Sequence, residues 1–137
     1  MHMKVQGRCH CGEITYEADV EPGSVNVCHC RDCQMLTGSA FRANIAAPAE
    51  RFRVLTGKPR EYVKVADSGA RRVHAFCANC GSPVYSCAPH IRKTYSLRLG
   101  ALSERDALGR PAREIWTKRR LSWMPKLAGA ADIEGQS

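Results

Sequence analysis

The chain has 137 residues, of which 44% are hydrophobic and 25% are charged, and these proportions exclude a wholly disordered or collagen-like chain. Lys and Arg outnumber Asp and Glu by 21 to 13, and the net charge of +8 favours an acidic partner, either nucleic acid or a small anionic substrate. No apolar run approaches the ~20 residues that span a bilayer. The N-terminus lacks the apolar stretch of a signal peptide, so we expect a cytoplasmic protein that does not contact membranes.

Short alternating segments follow one another along the chain and predict β-strands. In chain order they lie near residues 14–18, 25–27, 52–54, 63–65, 73–75, 84–85, 95–99 and 115–116. Turn signals at 21–23, 57–59, 67–69 and 108–111 separate them. Two short helices are expected at 31–36 and 103–108, the second capped by Ser103. The sequence therefore predicts a mainly β single domain over residues 4–126 and a flexible tail at 127–137.

The eight cysteines are the most informative feature of the composition. In a reducing compartment, clustered cysteines bind metals or carry out redox chemistry more often than they form disulfides. Seven of the eight fall in short motifs whose members are awkwardly close for mutual disulfides. We therefore predict metal binding, and zinc in particular, because zinc is held by thiolates that converge from short turns.

The first and last cysteine pairs predict one closed site. Residues i and i+2 of an extended segment point to the same side, so Cys9 and Cys11 can bind one metal. Cys77 and Cys80 flank a two-residue turn, and Gly81 allows the left-handed backbone that such turns often use. Together the two pairs provide the four thiolates of a structural zinc site, which would join distant segments and stabilise the fold.

A third cluster, Cys28, Cys30 and Cys33, offers three thiolates within six residues. Three protein ligands with an open fourth position are the arrangement of catalytic zinc. Two alternatives stay open from the residues alone. One is a second structural site completed by Cys87 or by a histidine, and the other is an iron–sulfur centre.

The cysteine motifs occur in the order G-x-C-H-C-G, C-H-C-x-x-C and F-C-x-x-C-G. They are found here as Gly7-Arg8-Cys9-His10-Cys11-Gly12, Cys28-His29-Cys30-Arg31-Asp32-Cys33 and Phe76-Cys77-Ala78-Asn79-Cys80-Gly81. This order resembles the glutathione-dependent formaldehyde-activating enzyme family, which is grouped with centromere protein V. The similarity extends through Leu99-Gly100-Ala101-Leu102 to the segment that ends at Trp123. The resemblance implies a zinc-stabilised β-tent fold of several coiled antiparallel sheets with two zinc ions per chain.

The same resemblance implies a role for each cysteine of the three motifs. The structural zinc ligands are Cys9, Cys11, Cys77 and Cys80, and the catalytic zinc ligands are Cys28, Cys30 and Cys33. This agrees with the division reached from spacing. The implied enzyme is a carbon–sulfur lyase, S-(hydroxymethyl)glutathione synthase, which adds glutathione to formaldehyde. An open zinc suits this reaction because it lowers the pKa of an incoming thiol and orients it towards a carbonyl carbon.

Two other classes of function remain as alternatives. The first is a zinc-stabilised binding module, with nucleic acid as one candidate ligand, in which both metal sites are structural. The second is a redox enzyme similar to methionine sulfoxide reductases, for which Cys87 is the available reactive thiol outside the motifs. We otherwise interpret Cys87 as a buried small hydrophobic side chain.

The polar residues inside the motifs have structural interpretations. We expect His10 and His29 to face solvent or to bond a backbone carbonyl, and Asp32 to accept a hydrogen bond from a nearby amide. A late basic segment, residues 110–126, contains six Lys or Arg residues and two Trp residues. We expect its cations to form a solvated face or to attract the carboxylates of glutathione. Trp123 should pack on the core or wall the metal site, with nucleic-acid stacking as the alternative.

Overall fold

The computed structural model describes residues 1–66 and 68–136, and within them the chain forms eleven strands, one α-helix and three short 3₁₀ turns. The strands are β1 (Met3–Arg8), β2 (Thr15–Val20), β3 (Asn26–Cys28), β4 (Arg42–Pro48), β5 (Phe52–Thr56), β6 (Arg60–Val65), β7 (Arg71–Phe76), β8 (Pro83–Cys87), β9 (Thr94–Arg98), β10 (Arg113–Ile115) and β11 (Ala131–Asp132). Helix α1 spans Arg31–Thr37, and the 3₁₀ turns are Ala49–Arg51, Leu99–Ala101 and Thr117–Arg119.

The strands form two sheets. The smaller sheet has the order β1-β2-β5, and the larger has the order β11-β10-β3-β4-β9-β8-β7-β6. Pairing is antiparallel except around β10, which runs parallel to both β3 and β11. The predicted mainly β single domain with several sheets is confirmed.

The alternation of apolar and polar residues places the core between the two sheets. On β2, Tyr16, Ala18 and Val20 are buried, as are Ile45 and Leu97 of the larger sheet. The rings of Phe52, Tyr85 and Tyr95 extend this core, with centroids 4.5 to 5.5 Å apart. The sheets therefore pack through their apolar faces, and the opposite face of the larger sheet takes no part in this core.

Gly7, the first residue of the first cysteine motif, is required by this packing. It lies opposite Tyr16 in the β1–β2 register. A Cβ at Gly7 would come within 2.2 Å of the Tyr16 ring. Any larger residue would displace a fully buried tyrosine and the strand that leads to Cys9.

The other face of the larger sheet carries polar and cationic side chains, which we call the basic face. Register places Arg42 opposite Cys28, Arg98 opposite Asn44, His74 opposite Ser86, and Arg72 opposite Lys64. The basic face therefore comprises Arg42, Asn44, Lys64, Arg72, His74, Ser86 and Arg98. Arg42 and Arg98 are only 5% and 7% exposed. Burial of two guanidinium groups on one face is unusual and calls for a physical explanation.

The local predictions had mixed outcomes. The helix expected at 31–36 is present as α1, whereas residues 103–108 form successive tight turns, so the second helix prediction is wrong. Six residues are too few to nucleate a helix unaided. Here the Ser103 amide donates to the Gln6 carbonyl and the Glu104 carboxylate accepts from the Gln6 amide, which tethers the segment to β1. Asp67 of the turn predicted at 67–69 lies outside the described residues.

Residues 127–136 are held against the larger sheet in the structure. Strand β11 pairs with β10, the Ile133 amide donates to the Glu114 carbonyl, and the Trp116 amide donates to the Gly135 carbonyl. The domain boundary at residue 126 stays a prediction. No helix in the described ranges is long and apolar enough to cross a membrane.

Candidate metal centres

The cysteines of the first and last motifs converge on one point. Cys9 and Cys11 follow β1 of the smaller sheet, and Cys77 and Cys80 lie on the turn between β7 and β8 of the larger sheet. Their four Sγ atoms all lie within 4.8 Å of one another, at 3.6 Å for Cys9 to Cys11 and 3.8 Å for Cys11 to Cys77. Tetrahedral zinc with bonds of about 2.3 Å separates its sulfurs by about 3.8 Å. The donor set and its spacing therefore fit zinc.

Hydrogen bonds to these sulfurs favour the thiolate form that a metal requires. The Ile14 amide donates to Cys9 Sγ at 3.2 Å, and the Cys80 amide donates to Cys77 Sγ at 3.5 Å. Burial raises the pKa of Cys9, but the bond from Ile14 and the neighbouring Cys11 and Cys77 side chains outweigh it and the pKa is lowered. At Cys77 the Cys80 amide acts in the same direction, but burial and the side chains of Cys80 and Cys9 outweigh it and raise the pKa to about 11. The Ser82 hydroxyl beside its sulfur is the first cause that lowers the pKa of Cys80 to about 5.

The second cluster is built at the junction of a strand and a helix. Cys28 ends β3, Cys30 is the N-terminal cap of α1, and Cys33 lies in the first turn of α1. The Cys33 amide donates to Cys30 Sγ at 3.3 Å, so one sulfur both caps the helix and faces the other two. The three Sγ atoms lie within 4.8 Å of one another. In the described part of the chain, no further Cys, His, Asp or Glu belongs to this group.

Charge is unevenly distributed within this cluster. Hydrogen bonds from Cys28 and Cys33 are the main causes that lower the pKa of Cys30 to about 2, and the Lys64 ammonium acts in the same direction. The pKa of Cys28 is raised, first because its thiol donates a hydrogen bond to Cys30. Cys30 is therefore the sulfur that ionises first.

Lys64 also connects the cluster to the basic face. Its ammonium lies 2.8 Å from the carboxylate of Asp32 on α1. This ion pair ties α1 to β6 and gives Asp32 a cationic side-chain partner in place of the backbone amide expected from the sequence. Arg42 lies opposite Cys28 in the β3–β4 register, so a second cation adjoins the thiols.

Comparison with known proteins assigns the chain to a family. The sequence profile described as glutathione-dependent formaldehyde-activating enzyme matches residues 4–119. The chain belongs to this family. No curated protein matches the chain. The fold is similar to the crystal structure of a Rhodobacter sphaeroides protein, a structural-genomics target, with a TM-score of 0.59 and 21% identity over 77% of this chain and 96% of that one.

Within this formaldehyde-activating family member, both cysteine groups that were predicted from spacing are brought together and could hold metal ions. Cys87 joins neither group. It is fully buried on β8 within the apolar core, and burial is the first cause that raises the pKa of its thiol. This agrees with the interpretation of Cys87 as a small hydrophobic side chain.

His29 has an environment that the sequence did not reveal. It is fully buried, and its Nε2 lies 2.8 Å from Oε1 of Glu114, which is also fully buried. The other carboxylate oxygen of Glu114 accepts from the Leu127 amide at 3.1 Å and from the Arg120 guanidinium at 3.2 Å. The expectation that His29 faces solvent or bonds a backbone carbonyl through its side chain is therefore wrong. His10, in contrast, is exposed.

The late basic segment is used mostly for internal contacts. Arg120 and Lys126 pair with Asp132, and Arg113 donates to the Asn26 side chain. Lys118 lies over the Trp116 ring at 4.9 Å. The side chain of Trp123 is 70% exposed, so the expectation that it packs on the core is wrong.

Proposed function

We propose that the protein is a zinc-dependent carbon–sulfur lyase of the S-(hydroxymethyl)glutathione synthase type, which adds a small thiol such as glutathione to an aldehyde such as formaldehyde. Zinc bound by Cys9, Cys11, Cys77 and Cys80 would be structural. The observation that carries the proposal is that the Cys28, Cys30 and Cys33 group has three sulfurs, whereas the structural group has four. Catalytic zinc is characteristically held by three protein ligands.

Cys28, Cys30 and Cys33 would hold the catalytic zinc, which gives two zinc ions per chain. When bound there, zinc would supply Lewis acidity that lowers the pKa of an incoming thiol. In the reaction, the substrate sulfur forms a bond to the carbonyl carbon and the thiol proton passes to the carbonyl oxygen. No group is oxidised or reduced.

The chain contributes the electrostatics of this site. Three thiolates and one zinc ion carry a net charge of −1, which would weaken the attraction of a further thiolate. Lys64 beside Cys30 and Arg42 opposite Cys28 offset that charge. The Asp32–Lys64 ion pair at 2.8 Å holds the ammonium against the first turn of α1. Addition of an anionic sulfur is therefore electrostatically feasible here.

The two metal sites can be separated by matched Cys→Ser variants. Cys77→Ser removes a ligand that joins the two sheets, so we expect an insoluble protein or a markedly lower Tm. Cys30→Ser removes a ligand from a local group on one strand and one helix, so the fold should largely survive with one zinc, as counted by native mass spectrometry. In the cobalt-substituted parent, glutathione should change the visible spectrum, and in Cys30→Ser it should not.

Two outcomes would contradict the proposal. Equal destabilisation by the two substitutions would make both sites structural and favour the binding module, for which salt-sensitive oligonucleotide binding is the direct assay. A folded Cys30→Ser variant that still handles glutathione like the parent would place the chemistry elsewhere. We further propose residues 4–126 as the functional domain and a cytoplasmic location, where glutathione is available.

A further inference from the structure

Arg42 is a buried cation for which the described residues provide no hydrogen-bond acceptor. Its side chain is 5% exposed, and within residues 1–66 and 68–136 it donates no hydrogen bond and forms no ion pair. Of its three nitrogens, Nε is the one that is fully buried without a partner. Burial of an unpaired guanidinium is costly, and buried charges in proteins are normally paired or bind a ligand.

Arg98 lies next along the same face and is held in place by two acceptors. Its Nη1 donates to Asn44 at 2.7 Å, and its Nη2 lies 3.1 Å from His74 Nδ1. A guanidinium can only donate, so His74 Nδ1 is the acceptor and its proton is on Nε2. That Nε2 and the Nε of Arg98 are both buried without an acceptor among the described residues.

Three buried nitrogens on the basic face lack an acceptor among the described residues, namely Nε of Arg42, Nε of Arg98 and Nε2 of His74. Asn44 stands between Arg42 and Arg98, since it is two residues from the first and opposite the second. Arg42, Arg98 and His74 therefore present N–H groups, and no acceptor in the described part of the chain satisfies their orphaned nitrogens. Such a group of donors is complementary to a planar anion, because a carboxylate accepts several N–H bonds at once.

The balance of charge in this region also points to an anion. Four cations, Arg42, Lys64, Arg72 and Arg98, lie on the basic face, and Asp32 is the carboxylate that pairs with one of them. With the charge of −1 of a zinc ion bound by three thiolates, the region retains two positive charges. One thiolate and one carboxylate would neutralise them.

We propose that Arg42 and Arg98, together with His74 Nε2, form a carboxylate-binding subsite beside Cys28, Cys30 and Cys33. The substrate of this site is then a thiol that carries a carboxylate, rather than a neutral thiol. This inference rests on the proposed function for its thiol, but the carboxylate subsite itself does not depend on thiol chemistry. It assigns substrate capture to buried arginines of the sheet instead of the late basic segment.

The test uses three probes that separate the carboxylate from the thiol. They are 3-mercaptopropionate, 3-mercapto-1-propanol and propionate, each titrated calorimetrically into the zinc-loaded full chain. For the parent we expect 3-mercaptopropionate to bind at least about tenfold more tightly than the neutral thiol, as expected for charge-assisted hydrogen bonds. Propionate alone should bind weakly and compete with 3-mercaptopropionate.

Arg42→Gln is the decisive variant, because Arg42 holds no other residue in place. It should abolish the preference for 3-mercaptopropionate and the binding of propionate. With zinc in excess, zinc content should stay at the parent value, because Lys64 still offsets the charge of the three thiolates and their metal. Arg98→Lys should reduce the preference as a second variant that retains the charge. Arg110→Gln removes one exposed charge and should leave the preference unchanged.

Failure of the subsite and failure of the proposed function give different results. If thiols do not alter the cobalt spectrum but propionate binds the parent and not Arg42→Gln, the subsite stands and the proposed function falls. If both thiols bind the parent equally, the subsite is overturned. It is also overturned if Arg42→Gln loses zinc and keeps the preference, since Arg42 would then only neutralise the metal centre.

Discussion

The buried carboxylate of Glu114 allows a quantitative prediction about stability. It accepts hydrogen bonds from His29, the Leu127 amide and Arg120. These bonds join His29, which lies between Cys28 and Cys30, to β10 and to the C-terminal segment. Glu114→Ala removes the acceptor of all three donors. His29 and the Leu127 amide have no replacement acceptor in these contacts, whereas Arg120 keeps Asp132 at 3.2 Å.

The magnitude follows from these contacts. Two buried donors, the His29 ring N–H and the Leu127 amide, lose their acceptor, and each such loss costs about 1–3 kcal/mol. We therefore expect a loss of about 4 kcal/mol in the free energy of unfolding, the middle of the summed range. An unfolding entropy of about 2.1 cal/mol/K per residue, applied to 137 residues, converts this loss into a fall in Tm of about 14 °C.

The assay is thermal unfolding followed by circular dichroism, with zinc in excess for every variant so that metal occupancy is held constant. Glu134→Ala is the matched control, because Glu134 is exposed in the same C-terminal segment and should change the free energy of unfolding by less than about 0.5 kcal/mol. A fall of less than about 3 °C for Glu114→Ala would refute the reasoning.

Three further predictions concern pH, salt and Cys87. Burial raises the pKa of Glu114, but the hydrogen bond from His29 and the other donors outweigh burial and lower the pKa below 4.5. The parent should therefore have its full Tm advantage over Glu114→Gln above pH 4.5, and it should lose that advantage as the pH falls through the lower folded pKa. Affinity for 3-mercaptopropionate should fall only weakly with salt, since buried pairs are screened less than exposed ones; a steep fall would indicate capture by the late basic segment. Cys87→Ala should cost about 1 kcal/mol and keep thiol binding and turnover, and loss of turnover would favour the redox enzyme.

The metal-binding groups could be predicted because their geometry is mostly local. Four residues of a tight turn fix the relative positions of Cys77 and Cys80, whatever the rest of the fold. Cys9 and Cys11 also lie on a turn, which is closed by the bond from the Gly12 amide to the Cys9 carbonyl at 3.1 Å, and not on the extended segment that was expected from the sequence. Local geometry likewise fixes Cys30 and Cys33, which are linked by the cap of α1. To predict that the two distant pairs bind the same metal, one further assumption was needed, namely that the metal has four ligands.

The remaining contacts could not be predicted because they join residues far apart in sequence. His29 and Glu114 are separated by 85 positions, and Asn44 and Arg98 by 54. Strand β10 is only three residues long, and its parallel pairing with β3 has no local signal. Its position is fixed by tertiary contacts, among them the bond from the His29 amide to the Ile115 carbonyl.

The location of the functional charge shows why sequence clustering was a poor guide. In residues 110–126 six cations lie close together in sequence, but Arg120 is paired with Glu114 and Asp132, and Lys126 is paired with Asp132. Arg42 and Arg98 are 56 positions apart in sequence and become neighbours only because β4 pairs with β9. An exposed charge attracts any anion, whereas a buried guanidinium with a free N–H binds an anion whose shape matches its donors. In the proposed subsite, substrate binding therefore depends on two buried cations, Arg42 and Arg98, and not on the net charge of +8 of the whole chain.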